Sequence, residues 1–320
     1  MDNLTHSLVG AVLGQTGLKK KTGLAMPALI IGANLPDVDA ACFFWLEGTE
    51  HLGFRRGITH GPPALVLLPL VLAGLLWAFD RWQTKRGKRP DGRVPVHFGW
   101  LFALSFIGCL THPALDWLNV YGIRFLEPFS SQWFYGDTLF IIDVWLWAML
   151  IVSVWWSLRA EKRSKSWRWP AFGGLAAALL YIGGNLFWSI GSAASFSISN
   201  KGIAFPAETL IASPVPFWPQ DREIIAGRKN DYYIVPAGVE PVRENAMPVT
   251  DQRCAWPELE PLRAVNSQLD AFLFWSRTPF ATRADDGSVV LSDARFYDPR
   301  ARDRFSIALP DVKCEEPDPQ

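Results

Sequence analysis

A chain of 320 residues with 31 basic and 31 acidic side chains has no formal net charge, which argues against a nucleic-acid binder. The balance is uneven: residues 1–198 hold 17 Lys/Arg against 12 Asp/Glu, and the remainder 14 against 19. The 16 Trp lie mostly in or beside apolar stretches of the front part, as expected of residues that anchor at a lipid–water boundary.

The N-terminus opens on Asp2 and His6, and its lysines follow the apolar run, so a secretory signal is not expected. Residues 4–18 and 23–35 are apolar but short, with Lys19-Lys20-Lys21 between them. At about 1.5 Å per residue neither crosses a hydrocarbon core of about 30 Å upright, so a helical hairpin is predicted, with Pro27 bending its second arm. Residues 61–79, 98–118, 138–158 and 170–190 read as spanning helices. The last is rich in Gly and Ala, which suits close helix packing.

Orientation follows from the basic loops. Residues 81–93 hold six Lys/Arg, residues 159–168 hold five, and the Lys19–Lys21 turn adds three. By the positive-inside rule all three face the cytosol. The chain then runs out–in–out–in–out–in–out, with residues 199–320 outside. That tail has strand-like runs at Tyr232–Val235, Val289–Leu291 and Phe305–Leu309 and a helical pattern at Pro261–Phe274. The expected fold is an all-α polytopic membrane domain, residues 1–198, with a short N-terminal helical hairpin and about four transmembrane helices. A smaller strand-rich α+β soluble domain, residues 199–320, follows it.

Cysteine usage is sparse. Cys42 and Cys109 lie in apolar segments and read as small core residues. Cys254 and Cys314 can form a disulfide if the tail is extracytoplasmic, and their pairing stays open. No Cys-x-x-Cys occurs, which argues against a thiolate metal site.

This topology sets His6, Asp37, Asp39, His60, His112, Asp116 and Asp143 near one outer boundary, although the charge rule used none of them. Ionisable groups are rare in lipid and usually functional. His112 and Asp116 are four apart on one helix face, with Asn119 three further on. Asp37 and Asp39 follow Pro36 and point the same way if the backbone is extended. His60 stands at the entry of the first full helix, behind Arg55 and Arg56, whose planar forks suit phosphate. His6 lies one turn into the first helix and Asp143 near the start of a later one. Three of the histidines follow a threonine: Thr5-His6, Thr59-His60 and Thr111-His112. His97 falls at the cytosolic end and is set aside; His51 lies in an outer loop.

Each residue alone also fits a capping, turn or anchoring role. Together they predict a divalent metal site, with Asp143 as ligand or as support of a ligand histidine. Mixed imidazole and carboxylate suits zinc, manganese or iron, with zinc the default for hydrolysis. Seven candidates exceed what one tetrahedral ion takes, so one or two ions are expected.

The motifs Asp2-x-x-Thr5-His6, Pro36-Asp37-x-Asp39, Arg56-x-x-Thr59-His60 and Thr111-His112-x-x-x-Asp116-x-x-Asn119-x-Tyr121-Gly122 resemble the pattern of the YdjM-type bacterial inner-membrane metal-dependent hydrolases, over roughly residues 1–190. A remoter resemblance is to the zinc-dependent phospholipase C and single-strand nuclease superfamily, matched in order by His6, Asp37, His60, His112 and Asp116. The later His-x-x-x-Asp pair of that superfamily is missing, which implies one or two ions rather than three. The expected function is a metal-dependent hydrolase of the inner membrane acting on a phosphoester, lipid or lipid-linked, at the outer interface. Asp39 and Asp116 are the catalytic candidates, and Arg55, Arg56 or Arg124 the phosphate contacts. The alternatives are an ion or proton transporter, since intramembrane acids and histidines also make relays, and a membrane protein whose metal is purely structural.

Overall fold

A computed structural model describes residues 1–199 and 207–317. The chain forms two compact units. One comprises Met1–Asp39 and Arg56–Leu186; the other comprises Ala40–Arg55 and Phe187–Gln320. The division expected from composition has no such exchange of residues 40–55.

The first unit is helical. Helix α1 (Asn3–Gln15) starts where the Asp2 carboxylate accepts from the Leu4 and Thr5 amides, satisfying donors that a helix end leaves unpaired. A 3₁₀ turn at Leu18–Lys20 leads to α2 (Ala25–Gly32), with Leu24 in the left-handed region at φ 64°. Pro27 sits in the first turn of α2, where proline costs no hydrogen bond, so it does not bend this arm. A longer 3₁₀ segment follows at Leu35–Phe44.

Helix α3 (Glu50–Phe54) belongs to the second unit. In the first, a 3₁₀ turn at Ile58–His60 precedes α4 (Pro62–Lys85), which leads on to α5 (Phe98–Trp117). Helices α6 (Val144–Lys162) and α7 (Arg168–Ser199) complete the helical part.

Glycines bring α1, α2 and α5 together. A Cβ on Gly10 would lie 2.7 Å from the Leu29 carbonyl oxygen, one on Gly32 2.6 Å from that of Ser105, and one on Gly108 2.5 Å from that of Leu29. Such backbone approach is how small residues pack helices where lipid removes the hydrophobic drive. It is also what sets His6, Asp37 and His112 within reach of one another. Leu29, Ala73, Leu101 and Leu104 fill one core of this unit, and Val12, Leu139, Leu146 and Leu150 another.

Among the described residues, three helical spans are long and apolar enough to cross a membrane: Pro62–Lys85, Phe98–Trp117 and Arg168–Ser197. The pair Ala25–Gly32 and Leu35–Phe44, bent by 53°, makes a fourth if it is counted as one span. Leu67, Val71 and Leu75 on α4 are exposed.

The expected span at 138–158 is corrected. Asp143 caps α6, accepting from the Leu146 amide at 2.8 Å, so the helix begins only at Val144. It then runs on through Arg159, Glu161 and Lys162, so its apolar stretch is shorter than the expected span.

In the second unit β1 (Thr209–Pro214), β2 (Arg222–Arg228), β3 (Asp231–Val235) and β4 (Met247–Pro248) form one antiparallel sheet in that order. After α8 (Glu260–Arg263) and α9 (Ser267–Trp275), strands β5 (Pro279–Arg283), β6 (Ser288–Asp293) and β7 (Ser306–Lys313) form the other. All three strand-like runs fall on strands. The helical pattern at Pro261–Phe274 is broken at Asn266, whose side chain caps α9.

Helix α3 lies on α9. The Thr49 hydroxyl donates to the Gln268 carbonyl at 2.7 Å, and Gly53 is close enough that a Cβ would lie 3.1 Å from that of Ala271. Cys254 and Cys314 form a disulfide across 60 residues.

Asp293 and Arg295 make a bidentate pair with no exposure on either side chain. Burial alone would raise the Asp293 carboxyl. The Arg295 guanidinium and the Ser276 hydroxyl outweigh it and hold the group at about 2. A depressed folded-state value gives stability that is present above the unfolded value of about 3.8 and lost as pH falls through about 2, worth about 2 kcal/mol. Thermal unfolding of the detergent-solubilised chain should therefore weaken between pH 4 and pH 2. Asp293→Asn should be less stable at pH 7 and should lack that component of the acid transition.

Candidate metal centre

Four side chains from three segments converge. His60 ends the 3₁₀ turn before α4, Asp37 lies in the 3₁₀ segment after α2, and His112 and Asp116 share a face in the last two turns of α5. One ligand atom from each lies within 4.8 Å of all the others. His112 Nε2 is 3.5 Å from Asp116 Oδ2 and 3.7 Å from Asp37 Oδ1, and His60 Nε2 is 3.6 Å from Asp116 Oδ2. His60, His112 and Asp116 are buried; only Asp37 has appreciable exposure, at 10 % of its side chain.

The hydrogen bonds fix which ring atoms face the centre. His112 Nδ1 lies 2.7 Å from the Ala33 carbonyl, which can only accept, so Nδ1 carries a proton and Nε2 is the ring atom left to face the centre. His60 Nδ1 lies 2.9 Å from the Thr59 hydroxyl, which also reaches Asp39 Oδ2 at 3.2 Å. Asp39 can only accept, so the chain runs from His60 Nδ1–H through Thr59 O–H to the carboxylate. Burial pushes the His60 ring below the ordinary histidine range, which keeps it neutral.

The group fits a cation. His60 Nε2 and His112 Nε2 are buried and lack a hydrogen-bond partner, an expensive state unless something occupies the point between them and Asp116 Oδ2. Bonds of about 2.0–2.2 Å at tetrahedral angles separate ligand atoms by about 3.3–3.6 Å, close to the spacings here. Each histidine also has its second nitrogen anchored, as metal-ligating imidazoles do. The cluster of Asp37, His60, His112 and Asp116 can hold a metal ion.

The other expected site residues have distinct places. The His6 ring stacks on His112 with centroids 3.8 Å apart, and its Nε2 is 3.3 Å from Asp116 Oδ1, the carboxylate oxygen turned away from the other histidines. Both His6 nitrogens are buried without a hydrogen-bond partner. The Met1 α-amino group also donates to Asp116 Oδ1.

Asp39 stands behind His60 rather than beside the four ligand atoms. Its Oδ2 accepts from the Arg56 amide at 2.8 Å and lies 3.6 Å from His60 Nδ1. Asp143 is not in the cluster. Besides capping α6 it accepts from the Tyr181 hydroxyl at 2.8 Å and so ties α6 to α7.

Arg56 places Nε 3.1 Å from Asp116 Oδ2 and gives Nη1 to Asn119 Oδ1 and the Gly122 carbonyl. Arg124 pairs with Glu127 at 2.9 Å and stacks on Trp133. Arg55 belongs to the other unit, its guanidinium over the Phe43 ring. Of the three threonines before histidines only Thr59 bonds its neighbour: Thr5 donates to Asp2 and Thr111 to the Gly108 carbonyl. Sequence reasoning missed the Ala33 carbonyl, because a backbone acceptor has no residue signature.

Replacing Asp39 with alanine should loosen metal binding by about 10–100-fold, the usual cost of removing a group that orients a ligand. Saturating metal should restore full stoichiometry, and Asp39→Asn, which keeps an acceptor, should recover part of the affinity. Competition with a chelator measures both.

Comparison with known proteins agrees with the motifs. Searches of curated proteins and of solved structures gave no significant match. The family model described as YdjM inner membrane protein matches residues 1–191, the helical part that carries the whole cluster. This chain belongs to the YdjM inner membrane protein family.

Proposed function

We propose that this protein is a metal-dependent hydrolase of the inner membrane, acting on a phosphoester of a lipid or lipid-linked substrate. The observation that carries the reading is the convergence of two buried, unpartnered imidazole nitrogens, His60 Nε2 and His112 Nε2, on Asp116 Oδ2. A divalent cation held there supplies Lewis acidity toward an ester oxygen and activates water for attack. The nitrogen and oxygen donors, without thiolate, suit zinc first and manganese or iron next.

The chain's own residues do the rest. His60, His112, Asp37 and Asp116 hold the ion, and Asp39 orients His60 through Thr59. His6 braces His112 and offers a further nitrogen on the Oδ1 side of Asp116, where a second ion would have a ligand. Arg56 adds a positive charge beside Asp116. Its donors are already engaged, so Arg56 and Arg124 contribute potential and position rather than a free phosphate clamp. The order His6, Asp37, His60, His112, Asp116 supports phosphoester chemistry by its resemblance to the phospholipase C and nuclease superfamily. The disulfide supports an extracytoplasmic second unit.

A structural ion is the second reading, favoured by the burial of His60, His112 and Asp116. Purified protein, stripped and reloaded with Zn, Mn or Fe, should be assayed on phospholipid micelles and on a nitrophenyl phosphodiester. Turnover that needs metal and is lost in Asp37→Ala and His60→Ala supports hydrolysis. Metal retained without turnover on either substrate class favours the structural ion, and turnover intact in both variants overturns the assignment.

A further inference from the structure

A hollow of about 490 Å³ lies at the opposite end of α5 from His112, lined by Lys21, His97, Gly99, Trp100 and Ala103. His97 and His112 are fifteen residues apart, about 22 Å along a helix, so the hollow is separate from the metal centre. Its volume is in the range of small-molecule sites. It exists because Gly99 and Ala103, four apart on one helix face, carry almost no side chain; a Cβ on Gly99 would meet nothing within 4 Å.

The rim is cationic. Lys19 pairs with Glu161, and Arg89 and Arg93 share Asp80. Lys21 forms no ion pair among the described residues; its ammonium lies 5.0 Å from the centroid of the Trp100 ring. Trp100 is 41 % exposed, and His97 stands exposed beside it. An unpaired ammonium, an imidazole and a half-exposed indole over an apolar floor form a two-part surface, charged at the rim and greasy below. It sits at the end of a membrane-spanning helix, where headgroups and the first methylenes of lipids are found.

We propose that this hollow binds an anionic phospholipid, its phosphate on Lys21 and His97 and the start of an acyl chain over Gly99 and Ala103. Basic residues at the end of a spanning helix attract such headgroups, and charge complementarity selects them over zwitterionic lipid.

Native mass spectrometry of the full detergent-solubilised chain tests this, with phosphatidylglycerol and phosphatidylcholine of matched acyl chains as probes. Phosphatidylglycerol should bind saturably and more tightly. Lys21→Gln should weaken it about fivefold, the worth of one basic residue at an anionic surface. Lys20→Gln should change it little, since Lys20 lies over Trp167 outside the hollow. Ala103→Leu, which fills the floor, should also weaken binding, and if that variant does not fold the two lysine variants still decide. Millimolar inorganic phosphate should not displace the lipid. Equal binding of phosphatidylcholine, equal loss in the two lysine variants, no loss in Lys21→Gln, or displacement by free phosphate would each overturn the proposal.

Discussion

Replacing His112 with alanine should empty the metal centre and abolish turnover. His112 is the middle of the arrangement, with Nε2 facing both Asp37 and Asp116, Nδ1 on the Ala33 carbonyl and its ring against His6. Its loss removes a ligand and unseats two others. Removing a group that merely orients a ligand costs 10–100-fold, so deletion of this one should exceed about 100-fold in metal affinity. Elemental analysis of purified wild type and His112→Ala, at matched thermal stability, reads the effect directly. Equal metal content in the two would remove the basis for the centre and for the hydrolase reading with it.

Reduction of the Cys254–Cys314 disulfide should give the largest stability change in the second unit. Closing a loop of 60 residues removes unfolded-chain entropy worth about 4 kcal/mol. For a unit of this size that corresponds to a fall in Tm of roughly 10 °C. Thermal scans with and without reductant, beside Cys254→Ser/Cys314→Ser, measure it; the double variant should match the reduced wild type and ignore reductant. Cys42 and Cys109 are buried and free, so alkylation of the native chain should leave all four positions unmodified. Modification at Cys254 or Cys314 without reductant would contradict the bridge.

The cluster was legible where local geometry follows from spacing alone. His112 and Asp116 are four apart in an apolar helix, and a helix brings such a pair to one side whatever surrounds it. Asp37 and Asp39 show the limit. In extended backbone, residues two apart point the same way. The segment is instead 3₁₀, with three residues per turn, so the two carboxylates diverge by about 120°. Asp37 meets the ligand atoms, and Asp39 reaches the back of His60.

Asp143 misled for a different reason. A carboxylate inside an apolar run looks the same whether it binds a metal or caps a helix, and the difference lies in where the helix starts. Arg55 and Arg56 are neighbours in sequence, yet Arg56 turns with φ at 55° and the compact units divide between them. In the tail, β-rich composition marked the strands, but pairing into two sheets depends on contacts between distant residues. The partnership of α3 with α9 is the extreme, with Ser267 donating to Glu50 across 217 positions.

That partnership has a consequence for biosynthesis. Residues 40–55 leave the ribosome some two hundred residues before the helix they cover, so they must wait without their native contacts while the apolar helices are made. A fragment starting at residue 199 would leave Gln268 and Ala271 without the Thr49 and Gly53 that pack on them, and should tend to aggregate. A single polypeptide joining residues 40–55 to 187–317 through a flexible tether keeps that segment and also Phe196, which packs on Ala212 and Ile224, and should aggregate less.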